Sequence, residues 1–465
     1  MKSKDYNKKF LKDAEVKTFD AGHRETIKFN IGRYNNSVEK GLAQFSDYET
    51  ARDKAAAYKE SAINNLYRLL LSFEHNFTRN GGKVIWAQNK EEAQYEILNI
   101  LRQKQTRSVV KSKTMISEEI HLNEFLEHNG IEAVETDLGE YIVQLAEQKP
   151  YHIVTPAMHM SRKDIGELFS KKLKIPFTDD ARDLTLTARK LLRQKYADAE
   201  VGITGANFLI ADTGSIAITE NEGNARLTTT LPKTHIAIAG IEKMLASIDQ
   251  LELMWPMLAT SGTGQNVTVY NSILSGPRKA GEADGPDEMY VVLLDNGRTK
   301  LLADKEKREA LHCIRCGACL NTCPVYKNVG GHTYNTTYSG PIGSVITPHY
   351  EGMEKFKHLS YSSSLCGSCT AVCPVRINIH NLLLLNRKQS VEQQMVSKTE
   401  KLGFRLWRKA MLNRSLMNMG GSGVKNLILK IFLRKSWGKR RTLPKLASKS
   451  FNQQYRERMK NKKDI

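Results

Sequence analysis

The sequence lacks long hydrophobic runs. Its most apolar short stretches, such as NLLLLN, are bounded by polar residues, well short of the roughly eighteen apolar residues of a membrane-spanning helix. The opening MKSKDYNKKFLKDAE is basic, and no apolar segment follows it. A secretion signal is therefore not expected, and a cytoplasmic location is. Nucleotide signatures are missing as well: there is no GxxxxGK loop, no GxGxxG turn and no flavin-binding signature. The CxxCH of a c-type haem protein is absent too. Cysteine is scarce. Only seven occur in 465 residues, and all seven lie between positions 313 and 373. In a reducing compartment such a cluster argues for metal rather than disulfides.

Acidic residues are depleted at one end only. From position 387 to 465 there are 22 Lys/Arg against four Asp/Glu, a surplus of +18 out of the net +20, so the preceding residues carry about +2. The body is nearly neutral and the tail strongly basic. The tail interleaves apolar and basic residues in VEQQMVSKTEKLGFRLWRKAMLN and NLILKIFLRKSW. That pattern suits helices that contact a membrane surface peripherally or dock on an acidic partner subunit. Nucleic acid is not expected as a partner.

What is present reads as an α/β chain. Residues 1–50 are polar with sparse periodicity, an arm or loose helices. Residues 51–80 read as one long helix closed by Asn80-Gly81-Gly82. Strand and helix patterns then alternate: KVIWAQ, a helix capped by Asn89 with Glu92 three residues on, RSVVKS, a helix ISEEIHLNEFLEHNG, IEAVET, a helix GEYIVQLAEQ, and a strand YHIVTP. Such alternation implies a parallel sheet covered by helices. A helix near 181–198 follows. ANFLIADTGSIAITEN reads as a hairpin turning at Gly214, with THIAIAG, NVTVYN and EMYVVLLDNGR as further strands. The expected domains are 1–60, an N-terminal arm and helix; 61–300, the α/β domain; 301–385, the cysteine domain; and 386–465, the basic helical tail.

The cysteines form two copies of one motif. The first is Cys313-x2-Cys316-x2-Cys319-x3-Cys323-Pro324; the second is Cys366-x2-Cys369-x3-Cys373-Pro374. Three cysteines at this spacing wrap one cubane cluster, and the fourth, before proline, reaches the other cluster. A structural zinc uses four ligands, usually in CxxC pairs, and does not explain a 2-2-3 rhythm used twice. Aligned on the prolines, Ser363 stands where the second copy lacks its first cysteine. Cluster one then takes Cys313, Cys316, Cys319 and Cys373. Cluster two takes Cys323, Cys366 and Cys369, with one iron lacking a thiolate. Three outcomes stand open for that iron: an oxygen ligand from Ser363 or a neighbour, water or a group from elsewhere, or an empty corner giving a 3Fe-4S cluster. Main-chain N–H groups near Gly317 and Gly367 are candidate donors to sulfur, and Ile314, Val325, Val375 and Ile377 candidate shields against water. His312 reads as a surface histidine.

CIRCGACLNTCPVY, GGHTYNTTYSGPIGSVITP and SLCGSCTAVCPVRI resemble the lactate utilisation protein B family, as do VVKSKTMISEEI, GITGANFLIADTGSIAITENEGNARLTTTLPKTHIAIAGIEK and SGTGQNVTVY. The resemblance covers most of the chain. It implies a LUD-type α/β domain, similar in fold to CoA transferases and folate cyclo-ligases, followed by an α-helical two-cluster ferredoxin-like domain. It implies an electron-transfer subunit, not catalytic alone, in a multi-protein system oxidising L-lactate to pyruvate. Its companions would be a heterodisulfide-reductase-like cysteine-rich protein and a second LUD-domain protein. A glycolate-type 2-hydroxy acid oxidase subunit, or a LUD-domain enzyme with structural clusters, are the alternatives. The resemblance supplies no catalytic residues. Within the α/β domain, Thr213-Gly214-Ser215 and Ser261-Gly262-Thr263-Gly264 are glycine-bearing segments that, with Lys113, Glu220, Asn221 and Glu222, are candidates to line a small-acid pocket.

Overall fold

The computed structural model describes residues 3–438 and 441–461. Four helices come first: α1 (Ser3–Thr18), α2 (Ala21–Gly41), α3 (Tyr48–Asn64) and α4 (Leu66–Arg79). The strands in chain order are β1 (Lys83–Ala87), β2 (Ser108–Lys111), β3 (Glu132–Glu135), β4 (Val201–Gly205), β5 (Phe208–Ile210), β6 (Ser215–Glu220), β7 (Thr234–Gly240), β8 (Met244–Leu245), β9 (Tyr270–Leu274) and β10 (Glu288–Leu294). Six of them form a parallel sheet ordered β1-β10-β7-β4-β2-β3, and four a mixed sheet ordered β8-β5-β6-β9.

Strand periodicity divides the core. In β7, Ile236 and Ile238 enter one cluster with Ile97, Leu101, Val109 and Ile203, while Ala237 and Ala239 enter another with Phe73, Phe77 and Leu209. Val292 and Leu294 of β10 join the first, Val291 and Leu293 the second. Successive side chains point to opposite faces, and a parallel sheet covered on both faces needs apolar residues on each. That is why THIAIAG reads as a continuous rather than an alternating run.

Several local expectations are corrected. The helix at 51–80 is two helices, because Asn65 leaves helical geometry (φ −107°, ψ 19°). ISEEIHLNEFLEHNG likewise splits at His121, which is left-handed (φ 51°). YHIVTP is not a strand: the His152 ring Nδ1 accepts from the Val154 and Thr155 N–H groups at 3.1 and 3.3 Å, so these donors serve a turn instead of a ladder. VGITG forms β4, a strand that its pattern does not announce, and the strand expected over NVTVYN is shifted to Tyr270–Leu274, β9. The hairpin of β5 and β6 forms, but its turn cradles no ligand. Gly214 has φ 61°, and a Cβ there would lie 2.2 Å from the Phe77 nitrogen, so α4 fills the space.

The first fifty residues pack against the cysteine segment. Phe10, Ile27 and Ile31 are buried in one core with Cys316, Leu320, Tyr326, Ile342, Ile377 and Leu382. The helix Ile379–Glu392 adds Ile379, Leu382 and Leu383 to this core and continues past position 386. Residues 391–465 form a separate unit. Its longest helix, Lys398–Leu412, has no buried residue. Among the described residues, no helix is long and apolar enough to cross a membrane.

One buried ion-pair group braces β2 against β3. The Lys111 ammonium lies 2.6 Å from Glu135 and 3.3 Å from Glu118, and it donates to Ser117 Oγ at 2.7 Å. Burial, together with the neighbouring Glu135 and Glu118 carboxylates, raises the Glu140 carboxyl well above its ordinary value. Glu118, Glu135 and Glu140 have ligand-like spacing, but the ammonium already sits among them. Lys111→Met is expected to destabilise the fold by about 3–5 kcal/mol, since it leaves a buried carboxylate unpaired. Adding Glu135→Gln should recover part of the loss. Urea denaturation of the two variants beside wild type measures both effects.

Candidate functional site

The two cysteine segments share one local design. In each, a cysteine is followed by a left-handed glycine, Gly317 at φ 85° and Gly367 at φ 80°. A short helix then begins, Ala318–Thr322 or Ser368–Ala371, and the segment closes on Cys-Pro. Left-handed backbone favours glycine, which has no Cβ to clash. Pro324 occupies the first turn of the next helix, whose N-cap is Cys323.

The structure brings Cys313, Cys316, Cys319 and Cys373 around one chamber. The rest of its lining is mainly Ile153, Ile314, Ile342, Val375, Ile377 and Ile379. Charges on these four cysteines act on one another. Cys323, Cys366 and Cys369 form a second electrostatic group. The groups differ in exposure: Cys316, Cys319, Cys369 and Cys373 are buried, Cys313 and Cys323 half-buried, and Cys366 is at the surface. Burial raises the Cys316 and Cys319 thiols, pushing Cys369 to about 11 and Cys373 to about 12. Hydrogen bonding with the Ser368 hydroxyl, 3.4 Å from Sγ, holds the Cys366 thiol below its ordinary value. Iron must displace the protons that burial retains, so loading is coupled to proton release.

Main-chain N–H groups reach the sulfurs. Arg315 N lies 3.4 Å from Cys313 Sγ, Tyr326 N 3.5 Å from Cys323 Sγ and Ile377 N 3.4 Å from Cys373 Sγ. The Ala318 and Ser368 N–H groups, each just after a left-handed glycine, bond to Cys316 and Cys366. Donors of this kind raise the potential of a thiolate-bound cluster. Ser363 is half-buried, and its Oγ accepts from Leu365 N at 3.1 Å. That hydroxyl is engaged in a local turn.

Charged residues from distant segments complete the surroundings. Arg52 of α3 donates to the carbonyl of Cys373 through Nε and Nη2, at 3.1 and 2.9 Å, and to that of Ala371 at 2.7 Å. Lys59 is buried and Lys243 half-buried near Cys313; desolvation lowers them to about 7 and about 8. Arg315 stacks 4.7 Å from the Tyr338 ring centre and shares Glu242 with Arg298. Sequence reasoning missed Arg52, Lys59 and Lys243, because only folding brings them here. His312 is a further correction: it is buried, and desolvation lowers its pKa to about 4.

A larger cavity of about 350 Å³ lies on the other side of Arg315 and Cys316. It collects residues after β2 (Ser112, Lys113), β3 (Asp137) and β4 (Ala206, Asn207), and the end of β7 (Ala239, Gly240). Open α/β sheets place ligands at this carboxyl edge. Lys113, Glu220, Asn221, Glu222, Gly262 and Thr263 line it; Thr213-Gly214-Ser215 does not. Burial and the adjacent Asp137 push Glu222 up to about 7. Ser261–Thr263 proves to be the end of helix Leu251–Thr263, and a Cβ on Gly262 would lie 2.4 Å from the Cys316 carbonyl.

Fold and the grouping of the free cysteines together define an α/β domain joined to an iron–sulfur module. Residues 70–294 match the LUD domain, and residues 309–377 match the 4Fe-4S dicluster domain. The chain belongs to the Lactate utilization protein B family. It is 44% identical to Lactate utilization protein B of Bacillus velezensis over 81% of this chain and 79% of that protein. It is 43% identical to the Shouchella clausii protein of the same name, over 85% and 82%. It is also 42% identical to the uncharacterized electron transport protein YkgF of Escherichia coli, over 83% and 82%.

Gly262→Val is expected to displace the Cys316 loop. Iron counting after anaerobic reconstitution should find less iron than in the wild type.

Proposed function

We propose that the chain is the iron–sulfur electron-transfer subunit of a multi-protein system that oxidises L-lactate to pyruvate, allowing lactate to serve as a carbon source. The observation that carries this reading is the division of the cysteines. A group of four, three of them buried, adjoins the cavity of the α/β domain, and a group of three reaches the surface through Cys366. The names of the relatives, lactate utilization and electron transport, support the same system.

Cys313, Cys316, Cys319 and Cys373 are the proposed ligands of a 4Fe-4S cluster, and Cys323, Cys366 and Cys369 those of a second cluster. Iron–sulfur clusters supply one-electron transfer when bound. The chain's own residues hold the thiolates in place, exclude water and surround the first group with cations. Because Ser363 Oγ already accepts a backbone bond, the second cluster is read as having three thiolates, with an open iron or a 3Fe-4S core. Anaerobic iron counting with EPR decides: eight irons mean two cubanes, seven mean a three-iron second cluster. Ser363→Cys should convert seven to eight.

The proposed companions are a heterodisulfide-reductase-like cysteine-rich protein and a second LUD-domain protein, in the cytoplasm. Reduction of the clusters by L-lactate only when both companions are present supports the relay. Reduction by glycolate instead would assign the sibling 2-hydroxy acid. The lined cavity favours a second reading, a LUD-domain enzyme with structural clusters. Clusters that stay oxidised throughout turnover would establish it.

The tail is proposed to contact an anionic membrane surface. Helix Lys398–Leu412 exposes Leu402, Phe404, Leu406, Trp407 and Met411 on one side, with Lys401, Arg405, Arg408 and Lys409 on the other. Co-sedimentation with phosphatidylserine vesicles should be strong at low salt and lost on truncation after Ser390. Vesicle binding that survives truncation refutes the assignment.

A further inference from the structure

The wall between the two chambers is shared. Arg315, Cys316 and Ile153 line both the large cavity and the chamber of four cysteines. The cavity's inner end is rich in cations whose partners are few. Arg315 is nine-tenths buried, and its Nη1 has no hydrogen-bond partner among the described residues. Its Nη2 has only a long contact, 3.4 Å, to Glu242. That carboxylate is already held by Arg298, which also takes both oxygens of Glu119. Lys243, half-buried, lines the cavity beside Arg315 and Glu242. Lys113 reaches only the Val154 carbonyl.

Four acids line the cavity, Asp137, Glu220, Glu222 and Glu242; Asp137 accepts from Glu140 N, and Glu242 is paired with Arg298. Both Glu220 oxygens accept backbone N–H groups, from Ala225 and Arg226, and Glu222 accepts from Leu138 N. The cavity therefore offers an anion a cationic seat next to the cysteines, with Asn207, Thr263 and Gln265 for further polar contacts. A buried cation without a partner is destabilising unless a ligand completes it.

We propose that this cavity binds a small organic carboxylate of the 2-hydroxy- or 2-oxo-acid class, with its carboxylate against Lys243 and Arg315. This rests on the proposed role in 2-hydroxy acid oxidation and places the acid itself within this chain. Through the shared wall, the bound anion adds negative charge near the first cysteine group. Negative charge favours the oxidised form of a cluster there, so its midpoint potential falls on binding.

The test uses the full chain with both clusters reconstituted. Calorimetry with L-lactate, pyruvate and inorganic phosphate measures binding, and EPR-monitored redox titration measures potential. The expected result is saturable binding of lactate or pyruvate and a downward shift of one cluster's potential. Lys243→Gln should weaken binding at least tenfold at unchanged iron content. The exposed Lys190→Gln, outside the cavity, should not. Lys113→Gln serves as a second cavity variant if Lys243→Gln assembles poorly. Absence of binding by either acid, equal binding by the cavity variants, or preference for phosphate overturns the proposal. Binding without cluster reduction in the presence of the companion proteins would instead count against the relay and leave the cavity assignment standing.

Discussion

Cys373 lies among Cys313, Cys316 and Cys319 while Arg52 holds the carbonyls on either side of Val372. This buried guanidinium connects three parts of the chain. It rises from α3, it is flanked by Glu49 at its outer end, and it clasps the second cysteine segment where that segment joins the first. A planar fork with several fixed donors suits two neighbouring carbonyls better than a single ammonium would. The second cysteine segment is thereby tied to a helix more than 300 residues upstream, and Arg376 adds two surface ion pairs to Glu49 and Asp53.

The second constraint is the packing of charge between the sheet and the cysteines. Arg298, Glu119, Glu242 and Arg315 form a buried network between the parallel sheet and the first cysteine segment. Buried ion pairs contribute little net stability over well-packed apolar residues, but an incomplete one is strongly destabilising. Such a network makes the relative placement of its elements discriminating. Lys59, anchored by the carbonyls of Glu242 and Met244 at 2.7 and 3.2 Å, adds positive charge near Cys313. Thiolates concentrated in an apolar chamber need such counter-charge nearby.

Much of the α/β domain was legible in the sequence because strand and helix periods differ. KVIWAQ, RSVVKS and IEAVET announced parallel strands, and Asn89 its helix, whereas THIAIAG read only as a further strand of an antiparallel addition and in fact pairs in parallel with β4 and β10. The failures have specific causes. YHIVTP has a strand's composition, but the His152 ring captures two of its N–H groups. Asn65 and His121 break helices through single residues whose dihedral angles no periodicity reports. Of the proposed pocket, Lys113, Glu220, Asn221 and Glu222 meet as residues of one cavity, whereas Thr213-Gly214-Ser215 is packed against α4.

By itself the sequence determined the chemistry of the cysteine segments. Spacing, glycines and prolines are local properties, and local backbone geometry follows from them. Only the tertiary structure decided the surroundings: which group of cysteines is buried, which reaches the surface, and that the first shares a wall with a cavity of the α/β domain. Those outcomes depend on contacts between residues such as Arg52 and Cys373, or Gly262 and Cys316, that are far apart in the chain. Desolvation and charge pairing act on distance in space, and no pattern of neighbouring residues encodes that distance.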